Sequence, residues 1–142
     1  MKHQTSPQDL EFQRAFEACE MPPDAFDHAA HVRLAYVYLC EQPVDGAAQR
    51  MKQSLLAYLA HLKVDQGKYH ETITRAWIMA VDYFMGKTSA CSSAADFMIA
   101  NPELLDSKIM LTHYSAAVLF SPEARRSFAE PDLQSIPPPH AA

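Results

Sequence analysis

Glycine is scarce in this sequence: 3 residues in 142, against 10 prolines that gather at apparent helix boundaries and in the tail. Gly86-Lys87-Thr88 looks like the end of a phosphate-binding loop, but the earlier glycine such a loop needs falls on Val81, so that chemistry is excluded. Strand patterning is missing as well, because no segment alternates apolar and polar residues between turn residues. Clustered positive charge is absent. The net charge is -5 with histidine neutral, and Arg125-Arg126 is the only adjacent basic pair, which argues against a nucleic-acid partner. Three widely spaced cysteines, Cys19, Cys40 and Cys91, form no Cys-x-x-Cys and fit a reducing compartment better than a disulfide framework. The longest unbroken apolar run, Leu34 to Cys40, is far too short to cross a bilayer, and the amino terminus lacks the apolar core of a signal peptide. The expectation is a soluble, cytoplasmic chain with no membrane partner. Its oligomeric state is left open, self-association included.

What remains is helix. Hydrophobic residues make up 49% and charged residues 20% of the chain, the balance of a single globular domain spanning 1–142. A first helix is expected over about Gln8 to Glu20, ended by Met21-Pro22-Pro23, since proline cannot continue a helix. Asp27 can cap a second, apolar nearly all round and therefore central. Asp45 looks like the cap of a third, a surface helix reaching to about Val64, with Gly67 suited to a left-handed stop. Tyr69-His70 opens a fourth with the stripe Ile73, Ala76, Trp77, Ala80, Val81 and Phe84. Ser93 can cap a short helix broken by Asn101-Pro102. A stretch over about Glu103 to Phe120 is expected to be helical and kinked or divided near Ser115, and Ser121-Pro122 starts a last short helix to Ala129. The fold class is all-α: a bundle of four main helices plus shorter C-terminal ones, an extended proline-rich tail, and loose ends at 1–7 and 134–142.

Two stretches carry chemistry. In Phe26-Asp27-His28-Ala29-Ala30-His31-Val32-Arg33, the core stripe of the second helix runs back from Val32 to His28 and from Ala35 to His31. The two imidazoles then lie about 60° apart on one buried face. The same step on the fourth helix leads from Ile73 or Trp77 to His70, with Thr74 one turn further along. If the two helices adjoin with their starts at one end, His28, His31 and His70 converge. Neutral imidazole ligates zinc, nickel, iron and manganese, which the sequence does not distinguish. Three protein ligands with an open fourth position also suit metal-assisted hydrolysis of a small molecule, with Glu71 as acid/base candidate. His113, aligned with Ile109 and Met110, is a fourth candidate ligand. A second reading has no metal. There the helix starts, with Arg33 and Lys68 nearby, hold a small anionic ligand, and the histidines donate hydrogen bonds or move protons. A third gives the histidines only a packing role, satisfied by carbonyls and by hydroxyls such as those of Thr72 and Thr74. His61 should be solvated, and His3 and His140, in the loose ends, need no role.

Taken together, Phe-x-His-x-x-His-x-Arg (Phe26 to Arg33), Tyr-His-Glu-Thr-Ile-Thr (Tyr69 to Thr74), His-Tyr-Ser (His113 to Ser115) and Ser-x-x-Ala-Arg-x-x-Phe-x-x-Pro-Asp-Leu (Ser121 to Leu133) resemble a group of small, uncharacterised bacterial helical proteins. The likeness implies a bacterial all-α protein and brings no activity with it. It also marks Arg125 as the motif arginine, placed to pair with Glu71 or with an acidic ligand near the histidines.

Overall fold

The computed structural model describes residues 2–137. The far end of the expected C-terminal tail, including His140, lies outside the described residues. Seven α-helices follow one another: α1 (Pro7–Glu17), α2 (His28–Glu41), α3 (Val44–His61), α4 (Glu71–Lys87), α5 (Ala94–Ala100), α6 (Ala116–Leu119) and α7 (Pro122–Arg126), with short 3-10 segments between several of them. No strand occurs among the described residues, and the chain is all-α. None of these helices is long and apolar enough to cross a membrane.

Capping chemistry decides most of the boundaries. Ser6 and Asp9 form a reciprocal capping box at the start of α1, with Pro7 in the first helical position. Asp27 caps α2 by accepting the Ala30 N–H at 2.9 Å, and Ser93, Ser115 and Ser121 cap α5, α6 and α7 in the same way. Asp45 does not cap α3. The helix starts earlier, after Pro43, and Asp45 sits in its first turn, paired with Arg75 of α4. A proline at the cap position leaves no N–H to satisfy there.

Gly67 does not provide the left-handed stop either. That conformation belongs to Lys63, with φ 58°, where the Val64 N–H reaches back to the Leu59 carbonyl at 3.0 Å. Cys19, with φ 59°, ends α1 likewise through Glu20 N–H to Ala15 O at 2.8 Å. Between Pro102 and Thr112 the chain forms two 3-10 segments rather than the expected α-helix. Asp106 divides them, taking the Lys108 N–H at 3.0 Å, a local bond that competes with helix propagation.

α2 is the central element. It packs against α1, α3, α4 and α5, and Val32, Leu34, Ala35, Tyr36, Val37 and Tyr38 are all buried. Its tyrosines carry polar ties into the core: Tyr38 Oη donates to Glu17 at 2.6 Å and meets Ser54 Oγ at 2.7 Å, joining α1, α2 and α3. The polar lead-in, read as loose from its composition, is pinned to the body. The Cys91 N–H donates to His3 Nδ1 at 3.1 Å, His3 Nε2–H therefore donates to the Met85 carbonyl at 2.7 Å, and Tyr36 Oη donates to the Gln4 carbonyl at 2.7 Å.

Candidate ligand cavity at the starts of two helices

The starts of α2 and α4 do share a wall. His28 and His31 from α2 and Ile73 and Trp77 from α4 line one cavity of about 310 Å³, together with the buried Met110 and Leu119 and the exposed Ser107, Lys108, Leu111 and Phe120. Trp77, Met110 and Leu119 are buried and the histidines and Ile73 half-buried, whereas Phe120 is 62% and Leu111 40% exposed, so the rim carries apolar side chains open to solvent beside Ser107 and Lys108. His28 is fixed by two contacts. Its ring stands edge-on to Trp77, with centroids 4.5 Å apart, and its Nε2 lies 2.9 Å from the Leu104 carbonyl. A carbonyl only accepts, so Nε2 carries a proton and Nδ1 is the nitrogen left over, which in a neutral imidazole holds a lone pair.

His31 is different. Part of its surface remains accessible, but its Nε2 is shut off from solvent and has no hydrogen-bond partner; it is the one such buried side-chain atom among the described residues. Burial, with a smaller contribution from the neighbouring His28, pushes its pKa down to about 4. The ring is therefore neutral at physiological pH. Phe26 flanks it at 6.0 Å between ring centroids.

His70 points elsewhere. As the N-cap of α4 it accepts the Ile73 N–H on Nδ1 at 3.1 Å, and its Nε2–H donates to the Leu119 carbonyl at 2.8 Å. Both ring nitrogens are thus committed to the backbone. Burial lowers its pKa and the Arg125 charge adds to that, while the bond to Leu119 works against it. Together with Thr74, Lys68 and the rings of Phe26, Tyr58 and Tyr69, His70 lines a second cavity of about 280 Å³ between α3 and α4. The first turns of α4 form the partition between the two cavities, with Ile73 and Trp77 facing one and His70 and Thr74 the other.

The other candidate residues are spread over the fold. Glu71 accepts from Tyr69 Oη at 2.9 Å and lies 3.5 Å from Lys52 Nζ, and it lines neither cavity. Arg125 donates to the Gly67 and Lys68 carbonyls at 3.2 and 3.1 Å rather than to Glu71. Arg33 pairs with Asp9 at 3.1 Å and stacks over Phe12, on another side of α2. His113 Nδ1 donates to the Gln134 carbonyl at 2.6 Å, holding the C-terminal segment. His61 is exposed. Among the described residues no group of three or more His, Cys, Asp or Glu side chains is arranged to hold a metal ion.

Sequence reasoning missed two features. Lys108, on the cavity rim, lies in a stretch read as a continuing helix and carries no local signal. Asp9, 1% exposed, accepts from Ser6 N, Ala94 N and Arg33 Nε at 2.9 to 3.1 Å. Its place three residues after Ser6, as in a capping box, was the signal available. Comparison with protein-family models, with curated proteins and with solved structures gives no match.

Proposed function

We propose that this protein binds a small organic anion, without metal, in the cavity between the starts of α2 and α4. The observation that carries this reading is the unpaired Nε2 of His31 beside that cavity. A buried polar atom left without a partner costs about 1–3 kcal/mol, and native structures tolerate few of them. A ligand group that bonds this nitrogen removes the penalty. Because Nε2 is shut off from solvent, reaching it requires the imidazole to turn, so occupancy should change the 6.0 Å Phe26–His31 contact. The cavity size lies at the lower end of the range for small-molecule sites, and its lining is mostly apolar with a few polar groups, as such sites are. Lys108 supplies the countercharge. Its side chain is exposed and makes no ion pair with the described residues.

Trp77 is the single tryptophan of the chain and lines the cavity, so it reports occupancy directly. Benzoate and cyclohexanecarboxylate, each titrated to millimolar concentration, should include at least one that changes Trp77 fluorescence and raises the melting temperature, and Lys108→Met should weaken the effect. A flat response across the series overturns the reading. Zinc, nickel, iron and manganese are the opposing arm: stoichiometric metal retained by the wild type and lost in His28→Ala/His31→Ala would replace anion binding with metal binding.

A further inference from the structure

The polar groups of this cavity are sorted by depth. With the buried Trp77, Met110 and Leu119 stand two half-buried imidazoles, His28 edge-on to Trp77 with Nε2–H committed to the Leu104 carbonyl, and His31 with an unpaired Nε2. At the mouth stands an exposed ammonium, Lys108, among exposed apolar side chains. Resting on the anion-binding reading above, the geometry points to a ligand of defined polarity: a ring-bearing hydroxy acid whose hydroxyl enters first and whose carboxylate stays at the rim with Lys108.

Three observations set that order. His28 donates its Nε2–H to a main-chain oxygen, so Nδ1 is the nitrogen left for a ligand, and in a neutral imidazole that nitrogen accepts from an O–H or N–H donor. A carboxylate offers no proton and would meet that lone pair with its own. His31 is held neutral by its surroundings, so its imidazole supplies no positive charge to an anion placed inside. Between the two ends the walls are Ile73, Trp77, Met110 and Leu119, which favour a flat apolar body over a sugar or a phosphate ester. A hydroxyl and a carboxylate on opposite ends of one ring match this order of chemistries.

Calorimetric titration of the full chain with 4-hydroxybenzoate, benzoate and 4-hydroxybenzyl alcohol tests the order of the groups. The hydroxy acid should bind most tightly. Removing its hydroxyl and replacing its carboxylate should each weaken binding about tenfold, the factor that corresponds to roughly one hydrogen bond or exposed ion pair. In Lys108→Met the penalty for losing the carboxylate should vanish while the penalty for losing the hydroxyl remains. Because a change at His28 also strips the Leu104 carbonyl of its donor, the inner contact is read in the wild type by nitrogen NMR: the His28 Nδ1 resonance should move with 4-hydroxybenzoate and not with benzoate. Benzoate binding as tightly as 4-hydroxybenzoate, with His28 Nδ1 unmoved, overturns the proposed polarity and leaves the anion site intact. No binding by either acid, with Trp77 unperturbed, overturns the hydroxy acid, and a flat response to cyclohexanecarboxylate as well overturns the anion site.

Discussion

His31 shows how a single atom sets the behaviour of the site. Its ordinary pKa of 6.5 falls to about 4 in the folded chain, so the unfolded chain takes up a proton first as pH drops. Stability is therefore fully present above pH 6.5, declines as pH falls from 6.5 towards 4, and flattens below that. The loss over this window should reach about 3 kcal/mol from His31, with His70, also lowered, adding in the same direction. His31→Leu removes both the orphaned nitrogen and this proton linkage. Urea denaturation at pH 7 should find the variant no less stable than the wild type, and repeating it at pH 5 should find it more stable; a variant that follows the wild-type pH curve contradicts the assignment. Asp9 behaves in the opposite sense to an isolated buried acid. Burial works to raise its pKa, but the Ser6 and Ala94 N–H groups and Arg33 together hold it below the ordinary carboxylate value. Asp9→Ala strands Arg33 and two backbone donors, so it should cost about 3–5 kcal/mol in the same denaturation assay, as breaking a buried charge pair does.

At the scale of elements, the legible parts were those where one residue type has one physical reason to stand. Asp27, Ser93 and Ser121 precede apolar periodicity and their side-chain oxygens accept the first free N–H groups, so three helix starts could be read from the chain. The illegible parts were those where a neighbour in space decides. Asp45 has cap chemistry but answers to Arg75 on α4, and Asp106 breaks a stretch whose composition alone favours helix. The left-handed stop of α3 fell on Lys63 although glycine stands four residues on, because a Schellman turn is placed by where the helix must leave the core. A side chain with a Cβ pays a conformational cost there of about 1 kcal/mol. Lys63→Gly should recover roughly that amount, and the exposed position makes the comparison clean. Thermal unfolding should show the melting temperature rising by a few degrees, whereas Lys63→Val should lower it.

On the scale of the whole molecule, projecting the core stripes of two helices gathered His28, His31 and His70 at one place. The structure instead brings His28 and His31 to one cavity with Ile73 and Trp77, and His70 to another. A further wall of the first cavity comes from residues 107–120, far along the chain and folded as a 3-10 segment and one short helix. That is why the helix stripes led to His28 and His31 but not to Lys108, Leu119 and Phe120 on the same cavity. The same segment is held in place by contacts that the sequence could not announce. Thr72, fully buried on α4, donates from Oγ1 to the Ser127 carbonyl at 3.1 Å and accepts the Ala129 N–H at 2.9 Å, while Tyr114 Oη donates to the Ala129 carbonyl at 2.7 Å. Thr72→Val keeps the shape and β-branching of the side chain but leaves a carbonyl and an N–H without partners. The expected cost is about 1–3 kcal/mol for the unpaired groups. Because Leu119 and Phe120 belong to the segment these bonds anchor, the loss should extend beyond global stability. Hydrogen exchange of the amides between Leu119 and Ala129 should accelerate more than that of α2, and Trp77 should respond more weakly to any ligand that fills the cavity. Uniform acceleration across α2 and the C-terminal segment would instead mean that the two open together, and that Thr72 supports the fold without separately holding the cavity wall.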